Sequence, residues 1–254
     1  MSKLNWRSVL LAAIPVAALT ALFSLQPIGQ PPEYHLFADR RGCLGIPNFG
    51  DVASNSAFLA AGVLGLHRCL IGRPEGARLA WIVFFAGAGL VSVGSAYYHW
   101  QPDNRTLVWD RLPMTIGFMG AYVALLAEYA DRRLELVLIP PAVTIGLASV
   151  FYWDLYDDLR PYFAVQATVI ATIVAVILAF AHPPRQRGYL IAALGSYALA
   201  IVCEQLDQQI FDALGGLASG HTIKHLLAAF AVFVIAWMLH ARPSTRLRSA
   251  KAGA

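Results

Sequence analysis

The sequence predicts an all-α membrane protein, a polytopic helix bundle with a seven-helix core and one additional N-terminal transmembrane helix. Composition is the first reason, because 58% of the 254 residues are hydrophobic and only 13% are charged. A soluble domain carries about 25% charged residues, so these few charges could not cover a water-soluble protein of this length. The second reason is that the apolar residues are grouped into stretches long enough to cross a bilayer.

Eight apolar stretches approach the length of about 20 residues that a helix needs to cross the hydrocarbon core. Most connections are short and rich in Pro, Gly and charged residues, as loops are. The stretches are roughly 8–25, 51–71, 78–99, 107–130, 134–152, 161–181, 188–206 and 221–240. We therefore expect residues 1–47 to form the N-terminal helix and an outer loop, 48–242 the seven-transmembrane core, and 243–254 a basic cytoplasmic tail.

The first apolar stretch follows a short basic segment and has two interpretations. It is either an uncleaved helix or the apolar region of a signal peptide. The best-placed cleavage sequence, Ser24-Leu25-Gln26, lacks the usual small-x-small pattern. We therefore predict an uncleaved first helix, whereas cleavage would leave seven spans in the same orientation.

Lys and Arg are concentrated at the N-terminus, in alternate connections and in the C-terminal tail, which predicts the orientation. These cations are Lys3, Arg7, Arg68, Arg73, Arg78, Arg132, Arg133, Arg185, Arg187, Arg242, Arg246, Arg248 and Lys251. Both termini are then cytoplasmic, and Arg40 and Arg41 in the first outer loop, with Asp39 beside them, are the exception. The cation-poor outer loops suggest a bacterial inner membrane. The net charge of +4 is dispersed without interleaved aromatics, which argues against a nucleic-acid partner.

Polar residues gather where several spans reach the outer face, and such residues mark functional sites in membranes. His99 closes the third span with Ser95 one helical turn before it, and Asp110 begins the fourth. His221 and His225 open the last span four residues apart, so both imidazoles lie on one helix face. Three imidazoles with an open position are typical of catalytic zinc, although copper, iron and nickel also suit imidazole. A hydrogen-bonded cluster without metal is the alternative.

The oxygen-rich stretch Asn48–Asn55 enters the second span from the same face. Its oxygens could bind calcium, or Asp51 or Ser54 could cap the helix, and we favour capping. Three further acidic residues either line the outer mouth or are solvated: Glu204, Asp207 and Asp212. The remaining histidines have no partner pattern and are interpreted as bystanders: His35, His67, His182 and His240.

These residues together resemble the alkaline ceramidases and the wider superfamily that includes the adiponectin receptors. The resemblance rests on Ser95-x3-His99, on Asp110 eleven residues later and on His221-x3-His225. The flanking sequences Asp110-Arg111-Leu112-Pro113-Met114 and Asn48–Asn55 look like that family too. The resemblance begins near Asn48 and matches the family's seven-helix core, so the first helix is an addition.

The resemblance implies a lipid amide hydrolase that cleaves the N-acyl bond of a sphingolipid or related lipid taken from the bilayer. His99, His221 and His225 would hold zinc. Asp110 would act on the attacking water, and Ser95 would lie close to the metal and the scissile carbonyl. The family's calcium site expects an acidic residue where Asn48 stands, which argues against calcium. The orientation predicted from the loops would place the active site at the outer face, which is periplasmic in a bacterial inner membrane or lumenal in an organelle.

Two other functions are compatible with such a bundle. A transporter with a His and Asp proton relay predicts inverted repeats and helices broken at mid-membrane, and the sequence shows neither. A non-enzymatic seven-helix lipid receptor or sensor is the second alternative, and the short cytoplasmic loops argue against it. The lipid amide hydrolase is the function that the sequence predicts.

Overall fold

The computed structural model describes residues 6–181 and 184–242, without the side chains of residues 184 and 185, and within these ranges it contains helices and loops but no β-strand. Eight helical segments are long and apolar enough to span a membrane. The all-α fold and the predicted spans are therefore confirmed, and they indicate an integral membrane protein. The predicted basic tail and His182 lie outside the described residues.

The helices follow one another in an up-and-down order. They are α1 (Trp6–Phe23), α2 (Phe49–Ser54), α3 (Ser56–His67), α4 (Arg78–Trp100), α5 (Asn104–Tyr129), α6 (Leu134–Tyr156), α7 (Arg160–Ala179), α8 (Pro184–Gln205), α9 (Asp207–Ala213) and α10 (Gly220–His240). A π-helical turn, Arg68–Gly72, continues α3, so that α2 and α3 with this turn form one span, Phe49–Gly72. The short α9 does not span.

Alternation of the spans gives the bundle two distinct ends. The site end contains the C-termini of α4, α6 and α8 and the N-termini of α5, α7 and α10. The loop between α1 and α2 crosses it. The opposite end contains the basic connections, and the described cations there are Arg7, Arg68, Arg73, Arg78, Arg132, Arg133, Arg187 and Arg242. The basic connections predicted from the sequence therefore lie together at one end of the bundle, opposite the site end.

Close packing of α4 against α5 positions the first half of the site. A Cβ on Gly94 would lie 2.1 Å from the carbonyl oxygen of Trp109, so only glycine permits this approach. Small residues commonly allow transmembrane helices to touch backbone to backbone. The contact brings the last turns of α4, with Ser95 and His99, beside Asp110 in the second turn of α5.

The start of α5 differs slightly from the prediction. The apolar stretch predicted a start at residue 107, whereas the helix begins at Asn104. Asp103 accepts a hydrogen bond from the backbone N–H of Thr106, and the Thr106 hydroxyl accepts one from the backbone N–H of Asp103. This capping box adds a polar turn that a hydropathy criterion cannot detect.

The second half of the site is the N-terminus of α10. Ser219 caps this helix by accepting a hydrogen bond from the backbone N–H of Thr222 at 2.9 Å. A Cβ on Gly220 would lie 2.2 Å from the carbonyl oxygen of Cys203, so the first turn of α10 is pressed against the end of α8. Helix α1 packs against α7 outside this arrangement and buries only Leu11 and Ile14, as expected of an additional helix.

Candidate metal centre and its cavity

Three histidines from α4 and α10 converge at the site end. His99, His221 and His225 are each at most 4% exposed, and their ligand atoms lie within 4.8 Å of one another. The Nε2 atoms of His99 and His225 face each other at 3.2 Å. The group could therefore hold a metal ion.

The donor set suits zinc. Two nitrogens that bind one tetrahedral zinc ion at 2.0–2.1 Å are about 3.3–3.4 Å apart, close to the separation of the two Nε2 atoms. The imidazoles are nitrogen donors of intermediate softness, which also suits copper, iron or nickel. The geometry fits a metal ion, and zinc itself remains a prediction.

Ser54 orients one of the three imidazoles. Its hydroxyl donates to the backbone carbonyl of Asp51 at 3.0 Å and lies 2.8 Å from Nδ1 of His225. When the hydroxyl proton is directed at that carbonyl, the Ser54 oxygen is free to accept the Nδ1 proton, which leaves the lone pair of Nε2 directed at the cluster. Outer partners of this kind fix the tautomer of metal-binding histidines. Capping, the favoured interpretation of Ser54, is wrong, because the hydroxyl reaches across to α10.

Asp51 also has a tertiary role in place of the expected cap. Its Oδ1 accepts hydrogen bonds from the hydroxyls of Thr222 and Ser219, at 2.7 and 3.1 Å. The carboxylate therefore ties α2 to the first turn of α10, and α2 has no side-chain cap. Asp51 Oδ2 and Asn55 Oδ1 are buried without a hydrogen-bond partner. Calcium binding by this stretch remains the disfavoured alternative.

Asn48 joins the same stretch to α4. Its side-chain amide donates a hydrogen bond of 2.8 Å to the backbone carbonyl of His99. The residue adopts a left-handed backbone conformation, with φ of 46°, which asparagine tolerates better than most residues. Asn48 thus supports the end of α4 that presents His99.

The acidic residues in the last turn of α8 and just beyond it belong to the site end as well. Asp207 accepts hydrogen bonds from the backbone N–H of His221 at 2.7 Å and of Ala38 at 2.9 Å. Glu204 forms an ion pair with Lys224 and accepts a hydrogen bond from the Tyr34 hydroxyl. The sequence left two alternatives for these residues, lining the outer mouth or being solvated. Glu204 lines the cavity, and Asp212 accepts a hydrogen bond from Gln208 at the exposed surface. Asp207 does neither and instead links the loop before α2 to the start of α10.

The loop between α1 and α2 covers the histidines. Phe37 is 4% exposed, and its ring centroid lies 4.6 Å from that of His99 and 5.0 Å from that of His221. Asp39 holds this loop through Arg41, whose guanidinium keeps the pKa of the Asp39 carboxyl below its usual value. Phe37 was not predicted as a site residue, because no periodic pattern marks a single aromatic residue in a loop.

The bystander histidines lie away from the cluster. His35 is placed between the Tyr98 hydroxyl and the Asn104 side chain, at 3.0 Å from each. His67 and His240 are exposed. Among the described residues, only His99, His221 and His225 form a group of possible metal ligands.

A cavity of about 510 Å³ leads from the cluster into the bundle. Its polar end is lined by Ser95, Asp110, Lys224 and His225, whereas its deep part is apolar and reaches Trp81. Ser95 and Trp81 lie on the same helix, so the cavity extends about 21 Å along the bundle at 1.5 Å per residue. The shape and lining suit a long acyl chain with its polar group at the site end.

The two predicted catalytic residues are both buried in this cavity. Ser95 is 2% exposed and Asp110 8%, and the Ser95 side chain faces the Asp110 carboxylate. Lys224 also interacts electrostatically with Asp110. The structure therefore brings Ser95 and Asp110 into one chamber with His225, while their catalytic roles remain predictions.

Comparison of the chain with protein-family models and with curated proteins gives no match.

Proposed function

We propose that the protein is a zinc-dependent intramembrane lipid amide hydrolase of the ceramidase type. The observation that supports this most is the position of the three-histidine group at the polar end of a long apolar cavity. A ligand set of three histidines leaves one position of a four-coordinate ion for water or substrate. An acyl chain in the apolar part of the cavity would place an amide beside that position.

His99, His221 and His225 would hold the ion. Zinc, when bound, supplies Lewis acidity and makes water acidic enough to ionise near neutral pH. Ser54 keeps Nε2 of His225 available, and Asp207 fixes the backbone of His221. Phe37 excludes bulk water from the two rings that it covers.

Asp110 and Ser95 supply the remaining chemistry. Asp110 accepts a proton from the attacking water as the new C–O bond forms. It returns the proton to the amide nitrogen as the C–N bond breaks, so that the products are a fatty acid and an amine. The Ser95 hydroxyl donates a hydrogen bond to the oxygen on which negative charge develops, and a well-placed donor of this kind contributes about 3 kcal/mol.

Metal content and hydrolysis, measured on the same detergent-purified samples, test the proposal. We expect about one zinc ion per chain and release of palmitate from N-palmitoyl lipids. His225→Ala should lose both, whereas the matched control His67→Ala, which changes an exposed histidine, should keep both. Full activity in His225→Ala, or a folded wild-type protein without metal, would overturn the assignment and favour a lipid receptor or sensor.

The membrane side is a second part of the proposal. The described basic connections lie at the opposite end, so the cations would keep that end in the cytoplasm. The site end would then face the periplasm of a bacterial inner membrane. Accessibility of single cysteines to a membrane-impermeant reagent tests this, with labelling expected at Leu217→Cys and absent at Arg132→Cys in intact cells.

A further inference from the structure

Arg111 is a buried cation in the wall of the cavity. It follows Asp110 in α5, and both side chains line the chamber. Arg111 is only 5% exposed. A guanidinium stays protonated in proteins, so a full positive charge lies inside the bundle at the site end.

The hydrogen-bonding capacity of Arg111 is mostly unused. Its Nη2 donates to the side-chain carbonyl of Gln30 at 2.5 Å, while Nη1 is buried without any partner. Arg111 is absent from every ion pair within 4.0 Å among the described residues. Its other neighbours are aromatic, with the guanidinium carbon 4.0 Å from the ring centroid of Trp153 and 4.9 Å from that of Tyr162.

The nearby carboxylates do not neutralise this cation by direct contact. Glu204 is engaged by Lys224 and Tyr34, and Asp110 faces Ser95. The four side chains of ionisable type that line the cavity, Asp110, Arg111, Glu204 and Lys224, sum to zero formal charge. A divalent ion on the histidines would make the chamber positive, which favours an anionic ligand.

We propose that Arg111 binds an oxyanion on the head-group side of the scissile amide, either a carboxylate or a phosphate monoester. The inference rests on the proposed amide hydrolysis and makes anionic N-acyl lipids, such as N-acyl amino acids, the preferred substrates. The planar guanidinium matches the two oxygens of such a group. Arg111 lies at the polar end with Gln30, so the acyl chain would extend the other way, toward Trp81.

Three substrates with one acyl chain test this inference. They are N-palmitoylglycine with a carboxylate, N-palmitoylethanolamine phosphate with a phosphate monoester, and N-palmitoylethanolamine with a neutral head group. We expect the wild-type kcat/KM to be at least about tenfold higher for one or both anionic lipids, which corresponds to about 1.4 kcal/mol. The preferred anion identifies the source of the oxyanion. Equal or higher kcat/KM for the neutral lipid would overturn the inference, even if Arg111→Gln does not fold.

The variant Arg111→Gln should lower the anionic-to-neutral ratio by at least about tenfold. Arg105→Gln is the matched control, because Arg105 is an exposed arginine in the first turn of the same helix, and it should keep the wild-type ratio. An unchanged ratio in Arg111→Gln would contradict the proposed contact.

Binding separates this inference from the proposed function. Calorimetric titration of N-palmitoylglycine into Asp110→Asn, with and without Arg111→Gln, measures recognition without turnover. Tighter binding to the single variant, together with no hydrolysis of any lipid by the wild type, would overturn the hydrolase and support the anion site. Equal binding to both variants would overturn the anion site and leave the hydrolase intact.

Discussion

Charged side chains pack inside both ends of the bundle, and at the opposite end Glu128 and Glu135 each have several partners. Glu128 accepts hydrogen bonds from the backbone N–H of Ala77 and from the indole of Trp81, at 3.0 and 2.8 Å. It also accepts two from the guanidinium of Arg242, at 2.6 and 3.0 Å. Glu135 accepts backbone hydrogen bonds from the start of α4. Charges at this end join helix termini to one another.

The site end leaves polar atoms without partners. Of the six buried side-chain nitrogen and oxygen atoms without a hydrogen bond in the described residues, five lie in its half of the bundle, and only Arg7 Nε does not. The five are Asp51 Oδ2, Asn55 Oδ1, His99 Nδ1, Arg111 Nη1 and Trp153 Nε1. A buried polar group without a hydrogen bond costs about 1–3 kcal/mol of folding free energy. The site end is therefore destabilised by these atoms, whereas the hydrogen-bonded carboxylates of the opposite end stabilise the fold. Functional sites typically keep such unsatisfied polar atoms although they lower the stability of the fold.

The largest effect should come from Asp110→Asn at the site end. In the proposed mechanism this variant lacks the proton acceptor, so hydrolysis should fall by about 10²–10⁴-fold, while metal content and melting temperature stay at wild-type values. Single-turnover hydrolysis and elemental analysis of the same sample measure the two properties. A large loss of thermal stability would show that Asp110 resembles the carboxylates of the opposite end.

Glu128→Ala should have the second largest effect. In contrast to Asp110→Asn, it should lower stability and leave the metal site intact. It leaves the partly buried guanidinium of Arg242 without its carboxylate, which costs about 3 kcal/mol of unfolding free energy, the lower end of the range for a fully buried pair. Metal content per folded chain should not change. Chemical unfolding in detergent measures the loss, with Asp131→Ala as a control, because Asp131 is an exposed acidic residue at the same end. Similar losses in both variants would contradict the comparison between the ends.

Ser54→Ala should weaken metal binding by about 10–100-fold, the usual effect of removing an outer partner of a metal-binding histidine. Competition with a chromogenic chelator measures the affinity. Ser56→Ala is the matched control, because the Ser56 hydroxyl bonds only to the carbonyl of Ala53 on the exposed surface. Equal affinities in the two variants would exclude the tautomer role of Ser54.

The smallest effect concerns the ion pair between Asp158 and Arg160, in the connection between α6 and α7 at the site end. Arg160 holds the pKa of the Asp158 carboxyl below its usual value through paired hydrogen bonds. The contribution to stability is therefore full above the unfolded pKa near 4 and is lost as the pH falls through the lower folded value. Melting temperature should decline toward acid, and Asp158→Asn should flatten that decline. If the melting temperature of the variant fell with pH as steeply as that of the wild type, the decrease would come from other carboxylates.

Hydropathy and helical spacing predicted most of the fold and the three histidines of the cluster. The eight spans follow from composition, and the i, i+4 pair in α10 meets His99 because the spans alternate. The contacts made by Ser54, Phe37 and Arg111 were not predicted, for a common physical reason. Their roles depend on contacts between distant segments, such as the link of Ser54 to His225 across 171 residues, and no local pattern specifies such contacts.

The separation of the histidines along the chain has a consequence for biogenesis. His99 and His225 are 126 residues apart, and α10 is the last span of the described chain. The cluster is therefore incomplete at every stage of membrane insertion until α10 enters the bundle and docks against α3 and α8. An ion bound by all three imidazoles would distinguish fully assembled chains from truncated or partly inserted ones. The metal content per chain would then measure the fraction of chains in which every described span has been inserted.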